Sequence, residues 1–135
     1  MDFKAIEAKW QKRYEEAKAF EPSVKPGVPK YFINFPYPYM NGYFHIGRAF
    51  SGMRAEVFAR YKLMQGYNVL FPFAFHCTGT PIVAAAERIA DGEKKQMDIL
   101  KKMGIPEDEI PKFADPVYWT EYFPRETKAD LKSVG

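Results

Sequence analysis

The chain has 135 residues, 47% of them hydrophobic and 27% charged, which is an ordinary composition for one soluble globular domain. A net charge of only +3 argues against a binder that depends on overall charge. The single cysteine, Cys77, excludes a disulfide within the chain and favours a reducing, cytoplasmic location. No apolar run is long enough for a membrane span, and the charged N-terminus is unlike a secretory signal.

The first predicted element is a helix over residues 3–19, with Asp2 as a suitable N-cap. Four apolar residues recur at helical spacing and would share one face: Phe3, Ile6, Trp10 and Tyr14. The pattern predicts a surface helix whose apolar face is packed on the domain. Residues 21–30 hold three prolines and a glycine and are interpreted as a connector.

A strand–helix–strand–helix order is predicted between residues 31 and 90. Buried strands are expected over 31–35 and 67–75, and helices over 44–64 and 80–90, with Gly66 ending the first and Thr80 capping the second. The first of these helices carries an apolar stripe: Ile46, Phe50, Met53, Val57 and Tyr61. Such a unit has parallel strands and a right-handed crossover, and ligands bind beyond the carboxyl ends of its strands. Segments 36–48 and 75–80 should therefore face one crevice.

Residues 91–135 are more polar and are predicted to be mostly helical. A turn at Asp91-Gly92 leads to a short helix over 94–103. A later helix is expected to be capped by Asp115, to be interrupted at Pro124, and to resume over 126–132.

The junction between the first strand and the long helix is the strongest candidate site. Residues 36–48 read Pro-Tyr-Pro-Tyr-Met-Asn-Gly-Tyr-Phe-His-Ile-Gly-Arg. The first turn of a helix has free backbone N–H groups and the positive end of the helix dipole, which favour an anion. Gly42 and Gly47 lack a Cβ and would let a ligand approach the backbone. His45 and Arg48 would stabilise charge on a phosphate of ATP. The structural alternative is an ordinary glycine-containing turn with a surface histidine and arginine.

A second candidate site is the carboxyl end of the second strand, at His76. A neutral histidine there can accept a hydrogen bond, whereas the structural alternative is a satisfied histidine at a strand end. A zinc site at His76 and Cys77 is not expected, because the chain has no other cysteine and only His45 besides. A nucleophile pair is not expected either, because adjacent strand residues point to opposite faces. No metal site is predicted. Among nearby aromatic residues, Phe35 and Phe44 are expected to fill the core, while Tyr37 and Tyr39 are pocket candidates.

Residues 38–47, Pro-Tyr-Met-Asn-Gly-Tyr-Phe-His-Ile-Gly, resemble the adenylate-binding signature of class I aminoacyl-tRNA synthetases. Two further stretches are similar to leucyl-tRNA synthetases of the archaeal and eukaryotic cytosolic type. They are Met-Gln-Gly-Tyr-Asn-Val-Leu-Phe-Pro at 64–72 and Phe-His-Cys-Thr-Gly-Thr-Pro-Ile at 75–82. Residues 6–11 and 115–124 also match, so the resemblance covers essentially the whole chain.

The resemblance implies an α/β fold, namely the N-terminal half of a Rossmann-like nucleotide-binding domain with parallel strands and helical segments at both ends. Its parts would be an N-terminal helix (1–20), a βαβα core (31–90) and a mostly helical segment leading toward an editing insertion (91–135). The implied reaction activates leucine with ATP and Mg²⁺ and transfers it to tRNA(Leu). The implied site residues are His45 and Arg48 for catalysis, these two with Asn41, Gly42 and Gly47 for ATP, and Tyr37, Tyr39 and His76 for leucine.

Two departures from the family pattern keep an alternative open. Arg48 stands where the family's core, His-Ile-Gly-His, has its second histidine, and the family's Lys-Met-Ser-Lys-Ser loop is absent from this sequence. We therefore expect an N-terminal fragment of the catalytic domain. The alternative is a non-catalytic ATP or aminoacyl-adenylate binding module, either a degenerate paralogue or half of a split synthetase that needs a second polypeptide. A dinucleotide-binding oxidoreductase is disfavoured, because the Gly-x-Gly-x-x-Gly turn is missing.

Overall fold

The computed structural model describes residues 1–134, which form a mostly helical chain with one two-stranded parallel sheet. Its elements are α1 (Phe3–Glu16), β1 (Lys30–Phe32), α2 (Ile46–Met64), β2 (Asn68–Leu70), α3 (Thr80–Ala90), α4 (Lys94–Lys102), a 3₁₀ helix (Ile110–Ala114) and α5 (Pro116–Ser133). The predicted strand–helix–strand–helix order is confirmed. Within residues 1–134, no helix combines the length and apolar character that a membrane crossing requires.

The two strands pair in parallel, as predicted, with Tyr31 opposite Val69. Both strands are much shorter than predicted. In β2, Val69 is buried, as expected, but β1 is not a buried strand, since its residue Phe32 is 60% exposed. Prolines at positions 36 and 72 fit this shortening, since proline cannot donate to a strand ladder.

The chain divides into two compact units, each described here by itself. The core unit comprises Tyr37–Arg48 and Ala74–Lys132, and the strand unit comprises Met1–Pro36, Ala49–Phe73 and residues 133–134. The division separates a group of well-buried elements from a group of poorly buried ones. Its physical basis is the distribution of buried apolar side chains.

The core unit has a closed hydrophobic core in which α3 packs on α4 and on the 3₁₀ helix. Three aromatic rings at its centre, Phe113, Trp119 and Phe123, are completely buried. The Trp119 indole N–H donates to the Phe113 carbonyl oxygen at 2.7 Å, so the one polar atom of this ring is satisfied. The remaining core residues are Met40, Ile82, Ala85, Ala86, Ile89, Leu100, Ile105 and Ile110.

Helix α5 continues through Pro124, contrary to the predicted interruption. The cap at its start is confirmed, since the Val117 N–H donates to the Asp115 carboxylate at 2.9 Å. Proline in a helix interior costs about 3 kcal/mol through a lost hydrogen bond and a steric clash. Trp119, Phe123 and Thr127 are spaced four residues apart across this position and are all buried. Burial of one face on both sides of the proline therefore offsets its local cost.

The strand unit buries few of its apolar side chains. Among the described residues its buried hydrophobic residues are Phe35, Ala59 and Val69, and Phe35 stacks on Phe73 with ring centroids 6.0 Å apart. Helix α1 has no buried residue, so its predicted packed face is wrong, although the Asp2 cap is confirmed. The predicted stripe on α2 is also largely exposed; Phe50, for example, is 68% exposed.

In the β1–α2–β2 unit, one lysine contacts aromatic rings of several elements. The Lys62 ammonium lies 4.7 to 5.9 Å from the centroids of four aromatic rings: Tyr31, Phe58, Tyr61 and Tyr67. A cation over an aromatic ring contributes about 0.5–1 kcal/mol at exposed sites. The helix then ends at Gly66, as predicted, with φ at +83° and the Tyr67 N–H donating to the Lys62 carbonyl oxygen.

Candidate functional site

The two segments predicted to lie together meet within the core unit. The His76 N–H donates to the Pro38 carbonyl oxygen at 2.9 Å, and the Met40 N–H donates to the His76 carbonyl oxygen at 3.2 Å. These bonds form an isolated parallel bridge between Tyr39 and His76. The backbone thus brings His76, which is predicted to bind the amino-acid substrate, beside the segment that leads into α2.

The side chains at this bridge are also in contact. The Tyr39 and His76 rings stack with centroids 4.0 Å apart and an interplanar angle of 27°. Both residues are half-buried, so each ring is held on one side by the other while part of its surface stays accessible. The stack fixes the orientation of the His76 imidazole, which is what a directional hydrogen bond to a ligand requires.

Gly79 belongs to this cluster, although the sequence reasoning did not single it out. It occupies the N-cap position of α3 with φ at +100°, so the predicted cap at Thr80 is wrong. A Cβ at Gly79 would lie 4.0 Å from Tyr39 Cε1. The signal in the sequence was a glycine directly before Thr80-Pro81, where a left-handed residue starts the helix.

His45 caps α2 with its own ring. The Gly47 N–H donates to His45 Nδ1 at 3.0 Å, and the Arg48 N–H donates to the His45 carbonyl oxygen at 2.8 Å. These two N–H groups of the first turn were predicted to be free for a ligand, and His45 satisfies them instead. Because Nδ1 accepts, a neutral imidazole carries its proton on Nε2 and donates from there.

The two glycines of this segment make room for the chain's own side chains. A Cβ at Gly47 would lie 3.2 Å from His45 Nδ1, and one at Gly42 would lie 3.2 Å from Met103 Cε. Contacts this short would require the neighbouring atoms to move. Both glycines therefore have a packing role that the sequence did not predict, and close approach of a ligand to them stays a prediction.

The other predicted site residues are accessible. Asn41, His45 and Arg48 are exposed, and Tyr37 is 39% exposed. Of the two aromatic residues expected in the core, Phe35 is buried and Phe44 is half-buried. Across residues 1–134, no group of three or more histidine, cysteine, aspartate or glutamate side chains is arranged to hold a metal ion.

Tyr43, which lies between Asn41 and His45, contacts two aromatic residues of α5. Its ring meets Phe123 edge to face with centroids 5.5 Å apart, and its hydroxyl lies 3.4 Å from the Tyr122 hydroxyl. Burial, followed by the hydrogen bond to Tyr122, raises the pKa of Tyr43 well above its usual range. The hydroxyl therefore stays protonated and neutral at physiological pH.

Comparison with known families decides the assignment. The family model described as tRNA synthetases class I (I, L, M and V) matches residues 9–129. The chain belongs to this family. The resemblance drawn from residues 38–47 is thereby confirmed.

The chain is similar to several curated leucine–tRNA ligases. The chain is 51% identical over 132 residues to the leucine–tRNA ligase of Aeropyrum pernix. It is 48% identical over 134 residues to that of Pyrobaculum calidifontis and 47% identical over 138 residues to that of Pyrococcus furiosus. The matches cover 98%, 98% and 100% of this chain, but only 14% of the length of each relative.

A solved structure from this class I synthetase family shares the fold. It is the ternary complex LeuRS-tRNA-LeuAMS from Agrobacterium radiobacter, with a TM-score of 0.70 and 22% sequence identity. The match covers 98% of this chain and 14% of that chain. The mixed helical fold with its two-stranded parallel sheet is therefore similar to that of a segment of this structure.

Proposed function

We propose that the chain is part of a leucine–tRNA ligase, in which it binds the phosphates of ATP and the leucine that is activated. The observation that carries the proposal is the geometry of His45, whose Nδ1 is bonded to the Gly47 N–H while the side chain stays exposed. With Nδ1 accepting, a neutral imidazole would offer its Nε2–H group as a donor near the positive end of the α2 dipole. Identity of about 50% to archaeal leucine–tRNA ligases supports the same assignment.

In the first step, the activation of leucine by ATP, the protein would mainly stabilise charge and would form no covalent bond to the substrates. A leucine carboxylate oxygen would form a bond to the α-phosphorus of ATP while the bond to the bridging β-phosphate oxygen breaks. Leucyl-adenylate and pyrophosphate result. His45 would donate to a phosphate oxygen through Nε2–H, and the exposed Arg48 would add a positive charge one turn of backbone away. Asn41 and Gly42 would shape the approach, and Mg²⁺ would arrive with ATP, held mainly by phosphate and water oxygens.

Leucine would bind at the Tyr39–His76 stack. A neutral His76 can accept a hydrogen bond from the leucine ammonium group, and the 4.0 Å stack on Tyr39 would keep its ring in place. Tyr37, which is partly exposed nearby in the chain, would contribute to the apolar wall. The leucyl group would then pass from the adenylate to a terminal hydroxyl of tRNA(Leu), with AMP as the leaving group.

At the level of the fold, the chain would be the N-terminal half of a Rossmann-like catalytic domain. Residues 31–90 would form its βαβα core, 1–20 an N-terminal helix, and 91–135 the segment toward an editing insertion. The chain spans 14% of the length of its relatives, and the strand unit leaves apolar side chains of α2 exposed. Further chain, or a second polypeptide, would cover them in a cytoplasmic enzyme.

The proposal is tested by ATP binding and by pyrophosphate exchange. His45→Ala should remove most of the ATP affinity measured by calorimetry without unfolding the chain, whereas Arg54→Ala, at an exposed position within α2, should have no effect. Equal affinity in the wild type and in His45→Ala would contradict the proposal.

Leucine-dependent pyrophosphate exchange separates an enzyme from a binding module. Exchange by the chain, alone or with a candidate second half, supports catalysis. ATP binding without exchange under either condition favours the non-catalytic module. Arg48→His restores the family's usual residue, so a rise in exchange in this variant would show that Arg48 weakens catalysis.

A further inference from the structure

Residues 41–45, called here the signature segment, are held by contacts to residues far along the chain. Gly42 lies against Met103, directly after α4, and Tyr43 lies against Tyr122 and Phe123 on α5. Met40, which precedes the segment, is 1% exposed. The segment therefore enters the helix from a fixed point in the core.

Tyr43 is the central contact of this set. Its ring meets the completely buried Phe123 edge to face at 87°. Its hydroxyl pairs with that of Tyr122, whose own ring is held by Phe113 at 5.2 Å. Two residues after Tyr43 in the chain, His45 bonds to the Gly47 N–H.

We propose that Tyr43 is a positioning residue for His45, and that Tyr122 and Phe123 on α5 hold the Tyr43 side chain in place. A shift of the Tyr43 ring moves the backbone that leads into the α2 cap, so the His45–Gly47 bond forms less often. The imidazole then loses the orientation in which Nδ1 accepts that bond. The effect on ATP rests on the proposed function, whereas the effect on the His45 ring does not.

The experiment compares Tyr43→Ala, Tyr43→Phe and Tyr122→Phe with Tyr118→Phe. Tyr118→Phe is a suitable control because it keeps the ring contacts of Tyr118 with Phe113 and Tyr122, at 4.9 and 5.9 Å, and removes only a hydroxyl that donates to Glu109. The first readout is the pair of ring-nitrogen NMR shifts of His45, which report the tautomer. The second readout is the Kd for ATP.

Tyr43→Ala should shift His45 away from the Nε2–H tautomer and raise the ATP Kd about tenfold or more, because misplaced groups bind and react poorly. Tyr43→Phe and Tyr122→Phe should each raise Kd about two- to fivefold, the effect of one long neutral hydrogen bond. Their double variant should be no worse than either alone. Tyr118→Phe should leave both readouts unchanged.

Equal effects of the Tyr43 and Tyr118 changes on His45 would overturn the proposal, because they would mean that general loss of stability is responsible. An unchanged His45 spectrum in Tyr43→Phe and Tyr122→Phe would overturn it as well, and these variants decide the question if Tyr43→Ala does not fold. If the wild type binds no ATP, the proposed function fails, and the His45 spectrum alone decides the positioning role.

Discussion

The core unit and the strand unit carry similar apolar patterns but bury them to different extents. Leu100 in the core unit is 0% exposed, whereas Leu70 in the strand unit is 45% exposed. In the core unit α3, α4, the 3₁₀ helix and α5 supply surfaces that cover one another. In the strand unit, α1 has no buried residue and α2 buries only Ala59. Periodicity marks an apolar face, but a second surface is needed to bury it.

The candidate site lies entirely within the better-packed core unit. All eight predicted site residues, from Tyr37 to His76, lie in the core unit: Tyr37, Tyr39, Asn41, Gly42, His45, Gly47, Arg48 and His76. A closed core keeps side chains in fixed positions, which a site for phosphate and ammonium groups requires.

Matched leucine substitutions should separate the two units most strongly. Leu100→Ala should lower the free energy of unfolding by about 2–5 kcal/mol, because it leaves a cavity in a closed core. Leu70→Ala, the same chemical change in the strand unit, should cost less than about 1 kcal/mol. Urea unfolding followed by far-ultraviolet circular dichroism, which reports on the helices of both units, measures both. Equal costs would show that the two units are equally well packed.

Exposed apolar residues on α2 should make the chain self-associate. Burying one phenylalanine contributes about 1.5–3 kcal/mol, so removing Phe50 and Val57 together by substitution with serine should raise the dimer dissociation constant by at least about tenfold. Arg54→Ser, on the same helix, is the control. The measurement is sedimentation velocity over a range of concentrations. A wild-type chain that stays monomeric at all concentrations would contradict the prediction.

Replacing the proline inside α5 should stabilise the core unit. Pro124→Ala restores an N–H that can donate to the Thr120 carbonyl oxygen, and the gain is reduced by the greater freedom of the unfolded chain. The expected net gain is about 1–2 kcal/mol in thermal or urea unfolding. Pro116→Ala, at the first helical position where no N–H partner is needed, should bring no such gain. A loss of stability in Pro124→Ala would mean that the ring itself is needed for packing.

The smallest effect should come from the contact between Glu109 and Tyr118. The Tyr118 hydroxyl donates to Glu109 Oε2 at 2.5 Å, and this bond, followed by that from Lys112, lowers the pKa of Glu109. A lowered carboxyl pKa stabilises the fold above the ordinary Glu value of about 4.3, and this stabilisation is lost as the pH falls through the lowered pKa.

The same bond raises the pKa of Tyr118 to about 12, so its contribution is present below the ordinary tyrosine pKa of about 10 and is lost as the pH rises toward 12. Glu109→Gln should therefore flatten both ends of the stability–pH curve measured by urea midpoints. Tyr118→Phe should flatten them similarly. Unchanged curves would mean that solvent screens the contact.

The sequence was sufficient for several features of local structure and for the family. The Asp2 and Asp115 caps, the end of α2 at Gly66, and α3 over Thr80–Ala90 follow from residue chemistry that acts within a few positions. The signature string at 38–47 was enough to identify the family that residues 9–129 match. The meeting of segment 37–48 with His76 followed from the rule that parallel strands end at one edge.

Long-range packing decided what the sequence alone did not. Pro124 stays inside a helix because residues on both sides of it are buried, and the apolar faces of α1 and α2 stay exposed. The free N–H groups expected at the start of α2 are taken by His45, whose segment is seated on residues about eighty positions away along α5. Spacing along a chain determines which side chains share a face. Which surface covers that face depends on contacts between distant segments, and no local pattern encodes them.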